Sequence, residues 1–439
     1  MKKVLMISYS FPPKGGGGVL RQLKFTKYLP DFGWQPFVLT VNKRYDFQDH
    51  QLLEELSPLC RIFRTGRNSK GRANMSLPGN AKIINLNSLL LFPRLVSRAI
   101  MVPDRFIFWV FRSVQLGLKI IRENDIHAIY SIDNPNTNHI VGMLLHWITK
   151  KPWVADFKDP WTGGFGYKKI PPFSWLDILL ERIILSSADQ LISVNESIRN
   201  RFISRIRNHE KIRIAVIPNG FDEEDFKARQ ELAHISDRLN IAYTGTFYHD
   251  MFPFAFLAAV KSLIDEGKIS DKDIKIIFVG QPEHQEDLNA DLVKELEHVG
   301  VLEYRGQLFH KDAIDIIRKS DILLLTQFDV IDGEFIIPSK TFEYIASGKL
   351  IIALTNPKNS LSKLILNTES GSVVHFNDLS GIKDNIFSLL ESFKNGQLQP
   401  RLGPQESIKK YTRKNLTMEL AKILDNIANS TNKNETSVN

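Results

Sequence analysis

The sequence predicts an α/β protein with two parallel-sheet domains that face each other across a cleft. Short apolar runs alternate with helical patterns along most of the chain, as they do in successive βαβ units. The alternation stops in a charged, weakly patterned stretch at residues 222–240 and then starts again. A chain of 439 residues is long for one domain and of ordinary length for two.

The first half of the chain contains the elements of one doubly wound domain, which we place at residues 1–221. In such a domain the loops after the carboxyl ends of the strands are the expected ligand contacts. The predicted strands are Val4–Tyr9, Gln35–Val41, Ala128–Ile132, Trp153–Asp156, Gln190–Val194 and Arg213–Ile217. The predicted helices are Leu20–Phe32, Asn138–Thr149, Trp175–Ser186 and Glu196–Ile206.

The second half repeats this organisation after the linker at residues 222–240, with a second domain at residues 241–404. A last helix is expected at residues 405–429, and a polar, disordered tail at residues 430–439. The predicted strands are Ile241–Tyr243, Lys275–Val279, Leu302–Arg305, Ile322–Leu325 and Leu350–Ala353. The predicted helices are Phe254–Glu266, Ala290–His298, Ala313–Lys319, Lys340–Ala346 and Ser407–Ala428.

The composition is that of a globular protein, with 43% hydrophobic and 24% charged residues. A single cysteine, Cys60, excludes an internal disulfide and a thiolate metal cluster and indicates a reducing compartment. The net charge of +8 is spread along the chain without a zinc-finger or RNA-recognition signature, so no nucleic-acid partner is expected. No apolar run reaches the roughly 18 residues of a membrane span. We therefore expect a cytoplasmic protein.

The most informative motif is the predicted helix that follows Pro338. Ser339 and Lys340 lie at its N-terminus, where unpaired N–H groups favour anions, and Glu343 follows one turn later. Lys340 could hold a phosphate, and Glu343 could accept hydrogen bonds from the vicinal hydroxyls of a sugar. In the alternative interpretation the same residues form an ordinary amphipathic helix whose Lys and Glu side chains are only solvated.

This motif resembles the donor-site helix of family-4 glycosyltransferases, which have the GT-B fold. The likeness is closest to a branch in which Pro-Ser-Lys, an aromatic residue, Glu-Tyr and Ala-x-Gly recur, as they do at residues 338–348. The resemblance implies two Rossmann-like doubly wound parallel-sheet domains and a terminal helix that crosses back onto the first domain. It also implies that Glu343 binds the donor ribose.

A glycine-rich loop joins the first predicted strand to the first predicted helix. Gly16, Gly17 and Gly18 allow the backbone to approach a ligand closely, and the helix N-terminus lies just behind them. The resemblance implies that this loop closes on the diphosphate of the donor. Arg21, in the first helical turn, is either an anion contact or a solvated residue.

Two further motifs of the first domain match the same branch. Asp156 and Asp159 flank Lys158 just beyond a strand end, where they either bind sugar hydroxyls or form an ion pair that orders the loop. His139 lies in the first turn of a helix, and we expect it to face the cleft and position the sugar or acceptor. A structural histidine is the alternative. The candidate catalytic residues are Lys340, His139 and Asp156.

The strand ends of the second domain supply the remaining candidate donor contacts. Gly245 and Thr246 are expected near the phosphates, and the resemblance implies that Gln307 and Leu308 lie in a loop that holds the nucleotide base. The stretch Ile217–Asp222 matches the interdomain signature of the family, and its Asn-Gly pair predicts a turn, so we interpret it as a hinge.

The chain departs from the family in one respect. Two glutamates eight positions apart are common in the family, but position 335 is Phe and Glu334 is one residue out of register. Either Glu334 replaces the missing carboxylate through a shift of the loop, or Ser339 and Lys340 take over its role. No Asp-x-Asp motif follows a strand, since Asp271-Lys272-Asp273 precedes one. We therefore expect no metal.

The resemblance implies a retaining, metal-independent glycosyltransferase. It would move a sugar from a nucleoside diphosphate sugar to a glycan or lipid-linked glycan acceptor in bacterial surface polysaccharide biosynthesis. The donor is a substrate, and no cofactor is expected. A catalytically silent sugar-nucleotide-binding subunit of an assembly system is the alternative. An NAD-binding protein is a third reading, which the absence of GxGxxG disfavours.

A basic and aromatic segment at residues 89–122 predicts peripheral contact with an anionic membrane. Its apolar side chains could enter the headgroup region while Arg94, Arg98, Arg105, Arg112 and Lys119 face the anionic surface. The protein would then work at the inner face of the cell membrane. In the alternative interpretation the aromatic side chains pack in the first domain and the basic ones are only solvated.

Overall fold

The computed structural model of the chain describes residues 1–66, 101–164, 167, 169–206, 213–227, 236–248, 251–327, 337–398 and 405–436. Two parallel sheets, of seven and six strands, form the centres of two α/β domains. The predicted fold class of two doubly wound parallel-sheet domains is therefore confirmed.

The first sheet has the strand order β3-β2-β1-β4-β5-β6-β7. Its strands are β1 Lys2–Ile7, β2 Trp34–Val41, β3 Arg61–Thr65, β4 Ala128–Ile132, β5 Trp153–Phe157, β6 Gln190–Ser193 and β7 Ile214–Val216. Its helices are α1 Leu20–Tyr28, α2 Gln51–Glu54, α3 Trp109–Asn124, α4 Thr137–Thr149, α5 Phe173–Ser187 and α6 Glu196–Arg205, with 3-10 helices at Gly17–Val19 and Leu29–Phe32.

The second sheet has the order β10-β9-β8-β11-β12-β13. Its strands are β8 Leu239–Thr244, β9 Ile274–Val279, β10 Leu302–Tyr304, β11 Ile322–Gln327, β12 Leu350–Thr355 and β13 Gly371–Val374. The helices from the linker onward are α7 Glu224–Lys227, α8 Phe254–Asp265, α9 Gln285–Leu288, α10 Asp291–His298, α11 His310–Lys319, α12 Lys340–Ser347, α13 Ser360–Asn367, α14 Leu379–Lys394, α15 Gln405–Lys409 and α16 Arg413–Thr436.

The strand order of each sheet reverses beside its first strand. The chain runs outward from β1 to β2 and β3 and then returns to β4 on the other side of β1, and β8 has the same place in the second sheet. A crevice forms beyond the carboxyl ends of the strands at such a switch point. The loops after β1, β4 and β8 are therefore placed to bind a ligand.

Strand β1 shows why the central strands are continuous apolar runs. Leu5 and Ile7 are buried in one hydrophobic layer, and Val4 and Met6 are buried in another on the opposite face. A strand covered on both faces has no solvent side, so the alternation of apolar and polar residues disappears.

Helix α16 packs on the first domain. Leu416 and Leu420 share a hydrophobic layer with Val4 and Met6 of β1. The indole N–H of Trp34 donates to Asp425 over 3.1 Å, which fixes α16 against the start of β2. The last described helix of the chain thus covers the first sheet.

The chain crosses between the two sheets at two places that are hydrogen-bonded to each other. The amide of Phe221 donates to the Tyr411 carbonyl over 3.1 Å, and the amide of Arg413 donates to the Phe221 carbonyl over 2.7 Å. A Cβ atom on Gly220 would lie 2.1 Å from the Tyr411 oxygen, so this approach requires glycine. The two crossings form a compact connection beside the cleft.

Several elements differ from the sequence-based expectation. The strands β3 and β13 and the helices α3, α13 and α14 were not among the predicted elements. β3 and β13 are edge strands whose residues are mostly half-buried, so neither has the long apolar run of a central strand. Helix α16 continues to Thr436, beyond the predicted boundary at residue 429. Within the described residues, no helix combines the length and apolar character needed to cross a membrane.

Candidate active site

The glycine loop of the first domain meets the start of α12 across the cleft. A Cβ atom on Gly17 would lie 3.2 Å from the Ser339 hydroxyl oxygen, so the two segments are nearly in contact. Gly16 has a φ of 91°, a left-handed conformation that favours glycine. Gly16, Gly17 and Gly18 are exposed. The structure thus brings the predicted phosphate loop and the predicted donor helix together.

Lys340, the first residue of α12, lies against the second sheet. Its Nζ atom is 3.3 Å from the centre of the Tyr243 ring, in cation–π contact, and a Cβ atom on Gly245 would be 3.6 Å from that Nζ. Burial holds the pKa of Lys340 well below its usual range, against the opposing effect of the Glu343 carboxylate. Within the described chain Nζ has no carboxylate within ion-pair distance. A phosphate would supply the missing counter-charge.

Glu343 is held in place by a histidine that the sequence analysis did not identify. Its Oε1 lies 3.0 Å from Nε2 of His310, the first residue of α11. Burial favours the neutral acid, but the hydrogen bond and charge of His310 outweigh it and lower the pKa of Glu343. Burial likewise disfavours the charged imidazolium of His310, but the hydrogen bond and charge of Glu343 outweigh the effect of burial and raise the pKa of His310. The two groups form a charged pair at the cleft.

His310 also connects the two domains. Its backbone amide donates to Oδ2 of Asp49 in the first domain over 3.1 Å, and Phe309 stacks on Phe47 with the ring centres 5.8 Å apart. The residue that positions the predicted ribose ligand therefore lies in the contact between the domains.

The remaining donor candidates of the second domain lie at strand ends. Gly245 has a φ of 112° and is closely approached by Gly280, on which a Cβ atom would lie 1.9 Å from the Gly245 oxygen. Thr246 and Gln307 are exposed beyond β8 and β10. Leu308 is half-buried and packs against the second-domain core. These loops line the second-domain side of the cleft.

Asp156 is the partner of Arg21 and is not open to a sugar. Arg21 donates through Nε and Nη2 to the two carboxylate oxygens over 2.8 and 3.0 Å, the Tyr130 hydroxyl donates to Oδ2, and Asp156 is 0% exposed. Arg21 also donates to the Pro218 carbonyl over 2.8 Å. Arg21 is thus neither solvated nor an open anion contact, and the ion-pair interpretation of Asp156 fits this structure.

His139 is also buried, contrary to the expectation that it faces the cleft. The side chain is 0% exposed because Phe157 and Trp161 cover its ring. Nδ1 lies 2.8 Å from the Ser131 hydroxyl, while Nε2 has no hydrogen-bond partner within the described chain. Burial lowers the pKa of His139 to about 3, so the imidazole is neutral near pH 7.

Asp133 is a second site residue that the sequence analysis missed. It follows β4 directly and accepts hydrogen bonds at Oδ2 from the amides of Lys158 and Asp159, over 3.0 and 2.9 Å. Oδ1 is buried without a partner in the described chain. Burial raises the pKa of Asp133 to about 7. Its position immediately after a buried strand was the available signal.

One cluster has the composition of a metal site, but a lysine lies within it. One ligand atom each of Glu55, Asp225 and His310 lie within 4.8 Å of one another. The Lys24 ammonium contacts Glu55 and Asp225 over 2.6 and 3.4 Å and Asp222 over 2.7 Å. A cation is therefore already present, and we assign no metal to these residues. Glu334 and Phe335 lie outside the described residues.

Comparison with known proteins agrees with this geometry. Residues 15–225 match the family model described as Glycosyltransferase Family 4. This stretch includes the glycines at residues 16–18 and the ends of strands β2 to β7. No curated protein matches the sequence at a significant level.

Solved structures share the fold over nearly the whole chain. A glycosyltransferase from Rickettsia africae ESF-5 has a TM-score of 0.64 at 16% identity, covering 97% of this chain and 98% of that one. Sucrose-phosphate synthase from Thermosynechococcus elongatus has a TM-score of 0.65 at 15% identity, covering 98% and 100%. HepE of Anabaena in complex with UDP-glucose has a TM-score of 0.60 at 14% identity, covering 97% and 100%. The predicted GT-B fold is confirmed.

Proposed function

We propose that this protein is a retaining glycosyltransferase that transfers a sugar from a nucleoside diphosphate sugar to a glycan or lipid-linked glycan. One observation carries the proposal: the exposed glycine loop lies against Ser339, the residue before Lys340, across the cleft of a GT-B fold. The family match of residues 15–225 supports the same activity. A role in bacterial surface polysaccharide biosynthesis follows from the resemblance described above.

The donor would bind with its diphosphate between the glycine loop and Lys340. Backbone N–H groups of Gly16, Gly17 and Gly18 would approach the phosphate oxygens, and the Lys340 ammonium would form the ion pair that it lacks within the described chain. Glu343, one turn later, would accept hydrogen bonds from the ribose hydroxyls. HepE of Anabaena has been solved with UDP-glucose, which supports a uridine nucleotide as the first donor to test.

Charge stabilisation is the main catalytic contribution that this site offers. Negative charge grows on the departing diphosphate as the glycosidic bond breaks, so a cation held there favours the transition state over the bound donor. Lys340 is suited to this role because burial penalises its charged form until an anion arrives. Metal independence is part of the proposal, since Lys340 would do what a divalent cation does in other enzymes.

Retention would result from attack on the same face that the diphosphate leaves. Arg21 and Tyr130 already engage Asp156, which supports a mechanism without a covalent intermediate on that carboxylate. The neutral His139, which Phe157 and Trp161 cover, would donate from Nε2 to a sugar hydroxyl only after those two rings move, with Ser131 at Nδ1. Asp156 would act indirectly, by fixing Arg21 beneath the glycine loop.

We further propose that the first domain contacts an anionic membrane at the cytoplasmic face. Of the predicted segment, residues 89–100 lie outside the described residues, but Phe108 and Phe111 near the start of α3 are 70% and 73% exposed. Trp109 is buried, so only part of the aromatic content faces outward. Exposed Arg105 and Arg112 would supply positive charge beside the two phenylalanines.

The activity test is release of nucleoside diphosphate from a panel of sugar nucleotides, with and without a lipid extract as the acceptor source. The proposal expects release with at least one donor and a strong reduction in Lys340→Ala. A protein that binds a donor but releases no nucleotide under either condition would instead be the catalytically silent subunit.

A further inference from the structure

Three cations of the first domain form a cluster around two aromatic rings, beside the glycine loop. Lys14 lies just before the loop, Lys43 and Tyr45 follow β2, and Arg105 and Phe106 precede α3. We call Lys14, Lys43 and Arg105 the cation cluster. Its members come from three separate segments, which only the fold brings together.

Cation–π contacts hold the cluster in place. The Nζ atoms of Lys14 and Lys43 are each 5.9 Å from the centre of the Tyr45 ring. Lys43 is also 6.0 Å from the centre of the Phe106 ring, and the Arg105 guanidinium is 4.8 Å from that centre. The rings attract the cations without neutralising their charge.

The cluster has no carboxylate partner within the described part of the chain. None of its three members forms an ion pair with a described residue. Asp104, adjacent to Arg105, is turned toward α4, where it accepts hydrogen bonds from the amide and hydroxyl of Thr137 over 2.9 and 2.6 Å. Burial, and then the charges of Lys158, Lys43 and Arg105, lower the pKa of Lys14. Mutual repulsion of this kind would be relieved by a multivalent anion.

The cluster is built from first-domain residues, whereas Lys340 lies against Tyr243 of the second domain. The Lys158 ammonium donates to the Gly18 carbonyl over 3.3 Å, which places that charge at the glycine loop. Tyr9, just beyond β1, connects the cluster to α4. Its ring centre lies 4.4 Å from that of Phe106, and its amide donates to Oδ1 of Asn138, next to His139, over 3.1 Å. The cluster therefore adjoins the region where an acceptor would approach the transferred sugar.

We propose that the cation cluster binds a phosphate or diphosphate group carried by the acceptor. The inference rests on the proposed function, because it assigns the donor diphosphate to Lys340 and the glycine loop and so leaves the cluster for a second anion. Lys14, Lys43 and Arg105 would contact the phosphate oxygens directly. The acceptor is thus a sugar phosphate or a sugar linked through diphosphate to a lipid, and a neutral glycan lacks the group that this surface recognises.

The test measures binding of inorganic pyrophosphate by calorimetry to three variants. In Lys43→Gln/Arg105→Gln, both exposed cations of the cluster are neutralised. In the matched control, Lys119→Gln/Arg122→Gln, two exposed cations farther along α3 are neutralised. Lys340→Ala removes the donor-side cation. We expect the cluster variant to lose pyrophosphate affinity about tenfold or more, and the other two variants to retain a site with the wild-type affinity.

Two additional ligands separate this inference from the proposed function. UDP should bind the cluster variant as it binds the wild type, because the donor site is unchanged. Failure of UDP to bind any variant would contradict the proposed donor, whereas it would leave the pyrophosphate result valid. Farnesyl diphosphate represents a lipid-linked acceptor and glucose 1-phosphate a soluble one. The inference is supported if the cluster variant binds either ligand more weakly than the wild type does, while the control variant does not. Equal pyrophosphate affinity in the cluster variant and its control would overturn it.

Discussion

The Nε2 atom of His310 lies 3.0 Å from Oε1 of Glu343, and the His310 amide donates to Asp49 of the opposite domain. The carboxylate expected to bind the donor ribose is therefore oriented by a residue in the domain contact. Opening of the cleft would break the Asp49 bond and free His310 to move. Donor binding and domain closure would thus be linked through one imidazole.

The His310–Glu343 pair should make stability depend on pH. The pKa of His310 is raised in the folded state. Its contribution to folding stability is therefore complete below pH 6.5, the ordinary histidine pKa, and is lost as the pH rises through the folded-state pKa. The pKa of Glu343 is lowered, so its contribution is present above its ordinary value of 4.5 and is lost at lower pH. The stability difference between wild type and His310→Asn should therefore be largest between these two values.

Urea unfolding at several pH values measures this difference. His298→Asn, an exposed histidine at the end of α10, is the matched control and should show little pH dependence relative to wild type. A difference for His310→Asn that stays constant from pH 5 to pH 9 would show that the two groups are not a charged pair.

Lys340→Ala should reduce turnover far more than Lys349→Ala. Lys340 begins α12 directly after Ser339, which faces Gly17 of the glycine loop, whereas Lys349 lies beyond Gly348, which ends the helix in a left-handed conformation. Loss of a charged contact to the leaving diphosphate should cost about 1.5–3 kcal/mol, which lowers the rate by a factor of roughly 10 to 150. Nucleoside diphosphate release gives the comparison, and equal rates in the two variants would exclude this role for Lys340.

Activity should survive treatment with EDTA. Lys340 supplies the charge at the expected diphosphate position, and Lys24 already lies within the cluster of Glu55, Asp225 and His310. The measurement is donor turnover before and after chelation and dialysis. Complete loss of turnover that magnesium or manganese restores would contradict metal independence.

Association with liposomes should require phosphatidylglycerol and the exposed phenylalanines of α3 and its N-cap. Each basic residue near an anionic surface contributes about 1 kcal/mol, so flotation should weaken as salt rises. The double variant Phe108→Ser/Phe111→Ser should float less than wild type. Leu366→Ser, which changes an exposed apolar side chain of the second domain, should behave as wild type. A wild-type protein that stays in the soluble fraction at low salt would oppose membrane contact.

Local signals in the sequence were enough to locate α12, the helix that we propose binds the donor. Pro338 precedes it and Gly348 follows it, so its ends, and with them the positions of Lys340 and Glu343, follow from short-range rules. Most central strands were also found, because burial on both faces makes them continuous apolar runs. The fold class followed from their alternation with helices.

The interaction partners of the candidate site residues could not be predicted from such local signals. His310 precedes Glu343 by 33 positions, and Arg21 precedes Asp156 by 135, so both pairs depend on how the chain folds. The burial of His139 likewise depends on Phe157 and Trp161, which belong to a different segment. Sequence patterns identified the charged groups but not which of them would be neutralised by another.

The most direct test of the proposed donor site is thermal stabilisation of the protein by a panel of nucleoside diphosphate sugars. A ligand that binds only the folded state stabilises it by about 2.7 kcal/mol at a hundred times its dissociation constant. We predict that at least one member of the panel, with UDP-glucose tested first, raises the Tm of the wild type. Glu343→Ala should lose most of this shift, while Glu297→Ala, an exposed carboxylate of α10, should keep it. The assignment of the donor site would be contradicted if no member of the panel raises the Tm of the wild type, or if the Tm of Glu343→Ala rises as much as that of the wild type.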